Sequence, residues 1–248
     1  TLDLAPGAAQ TLRFRYTYDV ATRCEGPAAP APPPEPRPAR MRFATPDAPW
    51  LDREAAWHAY YLEAGALECE YFGCRMVDQG SAYGYLQGLS GATRDFALFT
   101  LALTYVRPDL AREMLLLSMR AQRANGKLPY GYAGFGGTGG YGLHSFSSDL
   151  DLFFLLAAAE YLGATGDHTL LDEEVLYYPP ERGRRGTGLD HLRASFHHLH
   201  AGVGQGPHGL LRAGTGDWND VWLGYSRLPM FTVLRGESAL NAAMATVA

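Results

Sequence analysis

The spacing of apolar residues changes once along the chain. In residues 1–22, apolar side chains such as Leu12, Phe14 and Tyr16 alternate with polar ones, and Pro6-Gly7 supplies a turn. This alternation predicts β-strands. Because two strands do not form a stable sheet alone, we interpret residues 1–22 as the last strands of a β-domain that lies mostly upstream.

Residues 23–44 form a linker between two differently patterned regions. Most of this stretch is proline and alanine, a composition that is extended, semi-rigid and unable to build a core. A proline-rich ligand for a recognition domain is the alternative interpretation. The linker places a domain boundary before residue 45.

From residue 45 onward the apolar period is helical. Asp52 is placed to cap the first helix, and Trp57, Tyr60 and Tyr61 fall on one face of it, which we expect to pack into the core. Further helices are predicted from near Ala92, over residues 108–124, from Ser148, after Asp167, over residues 189–200 and over residues 238–248.

Two of these helices are apolar almost all round. Phe96 and Leu98 in the helix from Ala92, and the run from Phe153 to Leu162 in the helix from Ser148, leave little polar surface. This indicates burial on several sides. With no strand alternation after residue 50, the pattern predicts a mainly α architecture in which a buried inner layer of helices faces an amphipathic outer layer, as in a bundle or toroid.

The candidate chemistry is concentrated in one short stretch, Gly216-Asp217-Trp218-Asn219-Asp220. A flat indole suits the C–H face of a sugar ring, and the neighbouring acidic and amide groups suit its hydroxyls. One carboxyl group is then available to protonate a glycosidic oxygen. The alternative is a polar turn in which Asp and Asn bind their own backbone and Trp218 packs on the core.

A second candidate is the glycine-rich stretch from Tyr130 to Gly142. Residues 134–139 match G-x-G-x-x-G formally, but no hydrophobic strand precedes them and no helix follows at once, which argues against nucleotide binding. We expect a flexible loop over a site, with backbone close to a ligand. Tyr132 is a candidate for stacking on a sugar, with packing in the core or at its rim as the alternative.

Charge and composition exclude several classes of partner. The formal net charge of −5 and the pI near 5.9 disfavour nucleic acid and anionic membranes. No apolar run approaches about 18 residues, the length that a membrane span needs. The histidines between His191 and His200 lack carboxylate ligands at helical spacing, so no metal site is predicted.

The cysteines indicate a compartment rather than a site. Cys24, Cys69 and Cys74 are odd in number and lack C-x-x-C spacing. We expect buried free thiols in a reducing environment, and therefore a cytoplasmic protein.

Four stretches taken together resemble glycoside hydrolase family 94, the cellobiose, chitobiose and β-glucan phosphorylases. They occur in the family's order: Ala44-Thr45-Pro46-Asp47, Arg94-Asp95, residues 148–152 with Glu160-Tyr161 and Thr165-Gly166-Asp167, and Gly216 to Asp220. The resemblance implies a β-sandwich followed by an (α/α)6 barrel. Residues 1–22 are then terminal strands of the sandwich. Residues 45–248 are an incomplete catalytic barrel, because a complete one has twelve helices and the pattern gives about seven.

The resemblance also implies roles for individual residues. Asp220 corresponds to the family's general acid and Trp218 to a residue that lines the donor-sugar subsite, while Arg94 is similar to a sugar-contacting arginine. The chain departs from the family at Val221, where a small residue is usual. It also departs at the apolar residues that follow Asp95, which replace polar ones expected to reach the sugar.

The full candidate set follows from the motif and from these matches. Asp95 is placed to serve in place of the family's second donor-binding aspartate. The predicted substrate-binding residues are Trp218, Asp217, Asn219, Arg94, Asp95, Asp149 and Tyr132, with Asp220 as the catalytic acid.

The implied function is cleavage or transfer of β-linked glucosides, by inverting phosphorolysis. Asp220 would donate its proton while phosphate attacks the other face of the ring, and desolvation beside Trp218 would raise its pKa. An inverting hydrolase needs a second carboxylate about 6.5–9.5 Å away, for which Asp95, Asp149 and Asp151 are candidates. A non-catalytic glycan-binding or scaffold fragment is a third alternative.

The expected partners follow from that function. The substrate is an oligosaccharide, and no cofactor is expected apart from inorganic phosphate as a co-substrate. Nucleic acid, metal and membrane are not expected. A homodimer formed through the upstream β-sandwich is the expected assembly.

Overall fold

The described part of this computed structural model comprises residues 46–80, 88–133, 136–139, 147–218 and 229–248. The chain divides into two compact units, residues 1–38 and 39–248, and every described residue belongs to the second. The predicted strands of residues 1–22 and the linker of residues 23–44 lie outside the described residues.

Helices make up most of the described residues. The eight α-helices found there are α1 (Trp50–Ala64), α2 (Thr93–Val106), α3 (Pro108–Ala121), α4 (Leu150–Thr165), α5 (Thr169–Asp172), α6 (Gly188–His197), α7 (Pro229–Arg235) and α8 (Ala239–Met244). A 3₁₀ turn spans Pro180–Arg182, and a π-helix over His198–Val203 continues α6. The mainly helical character predicted from the apolar period is confirmed.

Seven short strands pair locally in antiparallel fashion. They are β1 (Ala66–Cys69) with β2 (Cys74–Val77), β3 (Gly91–Ala92) with β4 (Gly131–Tyr132) and β5 (Thr138–Gly139), and β6 (Glu174–Leu176) with β7 (Arg185–Thr187). The apolar pattern after residue 50, which shows no strand alternation, did not predict these strands. Strands of two to four residues are too short to show an alternating pattern.

The core is built around α2, which packs against both α3 and α4. Phe96 and Leu103 of α2 and Phe154 of α4 are almost completely buried. The prediction that these two helices are buried is therefore confirmed.

Helix α3 differs from the expected amphipathic outer helix. Nine of its residues are buried, including Leu110, Met114 and Leu117. The reason is the β1–β2 hairpin, whose strand β2 packs on α3: the N–H of Val77 donates to Sδ of Met114 at 3.3 Å. An apolar period does not reveal a hairpin that covers a second face of a helix.

The aromatic stripe on α1 is a correction to the sequence interpretation. Trp57, Tyr60 and Tyr61 are 59%, 62% and 65% exposed, and α1 has no buried residue. The stripe was expected in the core, but the period of a helix predicts an apolar face without predicting what covers it. Asp52 also lies in the first turn of α1 rather than at its N-cap, which is Pro49.

Helix α6 begins with a capping box. The hydroxyl of Thr187 accepts from the N–H of Asp190, and the carboxylate of Asp190 accepts from the N–H of Thr187. This satisfies two backbone groups that a helix start leaves unpaired.

Two cysteines meet in the β1–β2 hairpin. Cys69 and Cys74 are register partners, both are buried, and both are free thiols. Burial raises the pKa of Cys74 to about 11. The prediction of buried free thiols is confirmed for this pair, and Cys24 lies outside the described residues.

No helix in the described ranges combines the length and the apolar character that crossing a bilayer requires.

His191 is buried where α6 meets the end of α3. Its Nδ1 lies 2.7 Å from Oε1 of Gln122, its Nε2 lies 3.2 Å from the carbonyl oxygen of Val175, and its ring stacks on Tyr177. Burial lowers the pKa of His191 to about 4. The ring is therefore neutral near pH 7, and its single N–H donates to one of the two oxygens.

The buried His191 predicts acid sensitivity. Its pKa falls from 6.5 in the unfolded chain to about 4 in the folded protein, so the unfolded state binds more protons between these values. The free energy of unfolding should decrease as the pH drops through this window, which urea unfolding at a series of pH values measures. The variant His191→Gln should lose this slope, whereas His197→Gln, at an exposed position, should keep it. A free energy of unfolding that increases on acidification would contradict this prediction. It would show that the folded protein holds a charged ring that donates to both oxygens.

Candidate active site

A buried ion pair joins the starts of two helices. Arg94 is the second residue of α2 and Asp149 is the N-cap of α4, and Nε of Arg94 donates to Oδ2 of Asp149 at 2.7 Å. Arg94 is 6% exposed and Asp149 is fully buried. Asp149 makes no side-chain cap bond at the start of α4, and its carboxylate binds Arg94 instead.

The same arginine reaches the acidic motif. Its Nη2 donates to the backbone oxygen of Asp217 at 2.8 Å. Its guanidinium carbon lies 5.6 Å from the ring centre of Trp218 and 6.0 Å from that of Phe153. These distances are within the range of cation–π attraction, so Arg94 links the ion pair to the tryptophan.

Trp218 is partly packed and partly open to solvent. Its ring centre lies 5.8 Å from that of Phe153 at an angle of 35°, while 52% of the residue is exposed. The indole is therefore braced by Arg94 and Phe153 and still has surface for a ligand. An aromatic ring held in this way suits stacking against a sugar.

The backbone before the motif runs between two helix starts. On one side, the N–H of Ser148 donates to the carbonyl of Gly216 at 3.2 Å. On the other, the N–H of Ala213 donates to Gly236 at 2.9 Å, and the N–H of Ser238 donates to Leu211 at 2.8 Å. Residues 211–216 are thus held by the start of α4 and by the segment before α8.

Side chains at the start of α8 complete the cluster. The hydroxyl of Ser238 donates to Oδ2 of Asp217 at 2.6 Å, and Nδ2 of Asn241 donates to the hydroxyl of Ser148 at 2.7 Å. Sequence reasoning missed Ser238 and Asn241 as site residues. A serine before a short helix signals an N-cap, but nothing in that pattern points to Asp217.

The other predicted site residues have different surroundings. Asn219 and Asp220 lie outside the described residues. Asp95 follows Arg94 and is half-buried. Tyr132 is completely buried, with its ring 5.3 Å from Phe96 in a stacked arrangement. Tyr132 therefore packs in the core, which was the alternative to stacking on a sugar.

The described residues of the glycine-rich stretch include two strands of a small sheet. Gly131 and Tyr132 form β4 between β3 and β5, which corrects the expectation of a flexible loop for these residues. A Cβ at Gly131 would lie 2.5 Å from the carbonyl oxygen of Gly91. Glycine is required here for close approach of two strands rather than for contact with a ligand.

Asp151 forms a separate buried pair. Its Oδ2 lies 2.7 Å from Nδ1 of His198, and Asp151 is 2% exposed. Burial raises the pKa of Asp151, and the neighbouring imidazole opposes this. Within the described residues, His, Cys, Asp and Glu side chains form no group of three or more that suits a metal ion.

A mainly helical domain that presents a braced, half-exposed tryptophan beside acidic side chains has the character of a carbohydrate-active domain. The family model for the glycosyl hydrolase 94 superfamily, catalytic domain, matches residues 55–246. The chain therefore belongs to this superfamily, whose enzymes act on carbohydrates, and the predicted resemblance is confirmed, although the first of its four stretches, residues 44–47, precedes the matched range. No curated protein gives a match to the sequence.

The buried ion pair predicts a large loss of stability when one partner is removed. Asp149→Ala leaves the guanidinium of Arg94 buried without its carboxylate, and the free energy of unfolding should fall by about 3 to 5 kcal/mol. Denaturant unfolding of the purified protein measures this loss. Arg185→Ala is the control, because Arg185 forms an exposed pair with Glu174, and it should lose less than about 1 kcal/mol. Equal losses in the two variants would contradict the prediction.

Proposed function

We propose that the protein cleaves β-linked glucosides by inverting phosphorolysis, with Asp220 as the general acid. The observation that carries the proposal is the placement of Trp218, half exposed and braced by Arg94 and Phe153. Asp220 follows it by two residues in a chain of the glycosyl hydrolase 94 superfamily. The proposal includes an (α/α)6 barrel behind a β-sandwich, and a homodimer formed through that sandwich.

The proposed chemistry needs one carboxylic acid from the protein. Asp220 gives its proton to the glycosidic oxygen as the bond from that oxygen to the anomeric carbon breaks. An oxygen of inorganic phosphate attacks the same carbon from the opposite face and forms the new bond. The products are a sugar 1-phosphate of inverted configuration and a sugar with a free hydroxyl group.

Trp218 and Arg94 supply the binding surface in this proposal. The exposed part of the indole covers the C–H face of the donor sugar. Arg94 directs one N–H to Asp149 and another to the backbone of Asp217. Since Arg94 is only 6% exposed, its larger contribution is to hold the indole, and its contact with the sugar involves its small accessible part.

The surroundings of the acidic residues favour phosphorolysis over hydrolysis. An inverting hydrolase needs a second carboxylate that activates water. Asp149 and Asp151 are 0% and 2% exposed, and each is paired with a basic side chain. Asp149 therefore has no surface on which to receive water from solvent, whereas Asp151 lines a cavity and is held there by His198. Asp95, which is half-buried, is the remaining described candidate for a hydrolytic base.

The role of Asp220 is tested by Asp220→Asn. Without a proton donor, phosphate-dependent release of sugar from β-linked glucose disaccharides should fall at least about 100-fold. NMR of the wild-type reaction should show the α-configured sugar 1-phosphate that inversion requires. Asp172→Asn, at an exposed position, should keep wild-type activity. Release that is independent of phosphate would favour the hydrolase, and binding without turnover in every variant would favour a glycan-binding module.

The role of Trp218 is tested by a truncation and a conservative change. Trp218→Ala removes the stacking surface and should raise KM for the disaccharide by about tenfold or more, since each 1.4 kcal/mol of lost affinity is about tenfold. Trp218→Phe keeps an aromatic face and should retain most of the affinity. Steady-state kinetics at saturating phosphate distinguish the two variants. An unchanged KM in Trp218→Ala would remove the tryptophan from the proposed sugar site.

A further inference from the structure

The start of α8 contacts the acidic motif through a side chain rather than through backbone alone. Oγ of Ser238 accepts from the N–H of Asn241 at 3.0 Å, which caps the helix. The same oxygen lies 2.6 Å from Oδ2 of Asp217. Because a carboxylate oxygen accepts and the cap bond uses a lone pair of Oγ, the hydroxyl proton of Ser238 is directed to Asp217.

Asn241 extends this contact to the other side of the motif. Its Nδ2 donates to the hydroxyl of Ser148, and the N–H of Ser148 donates to the carbonyl of Gly216. Ser148 and Asn241 are fully buried, and Ser238 is 3% exposed. Buried polar networks of this kind specify one arrangement, because a broken bond leaves a polar group without a partner in a low-dielectric interior.

Among the described residues, three contacts from distant parts of the chain therefore hold two consecutive residues of the motif. Gly216 is bound at its carbonyl by Ser148, and Asp217 is bound at its carbonyl by Arg94 and at its carboxylate by Ser238. These contacts come from the starts of three different helices. Together they set the direction in which the backbone leaves Asp217 and enters Trp218.

We propose that Ser238 is a positioning residue of the reaction, and that it acts by fixing the carboxylate of Asp217. In this role Asp217 anchors the motif instead of binding the sugar. Its fixed orientation sets the indole of Trp218, and with it the part of the chain that carries the acid. The inference rests on the proposed function for its effect on turnover, and on the described contacts for its effect on Trp218.

The helix cap at Thr187 provides a matched comparison. Thr187 and Ser238 are both N-caps whose hydroxyl accepts from the N–H three residues later. The hydroxyl of Thr187 pairs within its own helix start, with Asp190, whereas that of Ser238 reaches Asp217, 21 residues away in sequence. Loss of either cap should lower stability by a similar amount. Only the loss of the Ser238 hydroxyl should change the arrangement of the acidic motif.

The test compares Ser238→Ala, Ser238→Gly, Ser238→Thr and Thr187→Ala in the purified protein. Ser238→Ala should lower kcat about 10- to 100-fold, since small misplacements of reacting groups have effects of this size. Ser238→Gly should do the same with a smaller loss of stability, because glycine is tolerated at an N-cap. Ser238→Thr keeps the hydroxyl and should restore kcat, and Thr187→Ala should leave kcat unchanged.

A double variant tests whether Ser238 acts through Asp217. The kcat of Ser238→Ala combined with Asp217→Ala should be no lower than that of the less active single variant, because each change removes the same contact, whereas asparagine at position 217 would still accept through its amide oxygen. Losses that multiply would show that the two residues act independently and would overturn the proposal.

A second readout requires no turnover. The indole N–H resonance of Trp218, identified by its loss in Trp218→Phe, should shift in Ser238→Ala and stay in place in Thr187→Ala. A wild-type protein without activity that still shows this difference would refute the proposed function and leave the positioning contact intact. If Ser238→Ala matched Thr187→Ala in both kcat and the resonance, Ser238 would be a helix cap alone.

Discussion

The ion pair between Arg94 and Asp149 is the interaction on which the described site depends. It joins the starts of α2 and α4, and the same guanidinium contacts the backbone of Asp217 and the ring of Trp218. Removing two charges from water is costly, and the cost is recovered only when geometry and hydrogen bonding are nearly complete. The pair therefore tolerates few alternative arrangements. Asp217 and Trp218, which contact the same guanidinium, are restricted with it.

Three polar side chains of the site lie at the starts of helices. Arg94 is in the first turn of α2, Asp149 is the N-cap of α4, and Ser238 is the N-cap of α8. Helix starts leave backbone N–H groups unpaired and place side chains at the edge of the packed layer. Phe96 and Phe154, further along α2 and α4, remain in the apolar core. In α2 and α4, therefore, the helix start supplies the polar contacts of the site, and the residues that follow supply the apolar packing.

Local patterns in the sequence predicted the elements and part of the site. The long apolar run of α4 indicated burial, because a helix without a polar face has no side to present to water. Pro108 marked the start of α3, since its missing N–H is not needed there. Trp218 was recognised from its chemistry beside acidic residues, and its contacts with Arg94 fit the predicted grouping. Asn219 and Asp220 were predicted in the same way and lie outside the described residues.

What the sequence by itself determined was therefore the helical period, the buried character of α2 and α4, and the motif with its resemblance to a family. Only the tertiary structure decided that Asp149 binds an arginine 55 residues away instead of capping its own helix, and that Ser238 binds Asp217. It also decided that Tyr132 is buried and that Trp57 is exposed. The reason is that period and capping are properties of neighbouring residues. Burial and polar pairing depend on which surfaces meet between segments far apart in the chain.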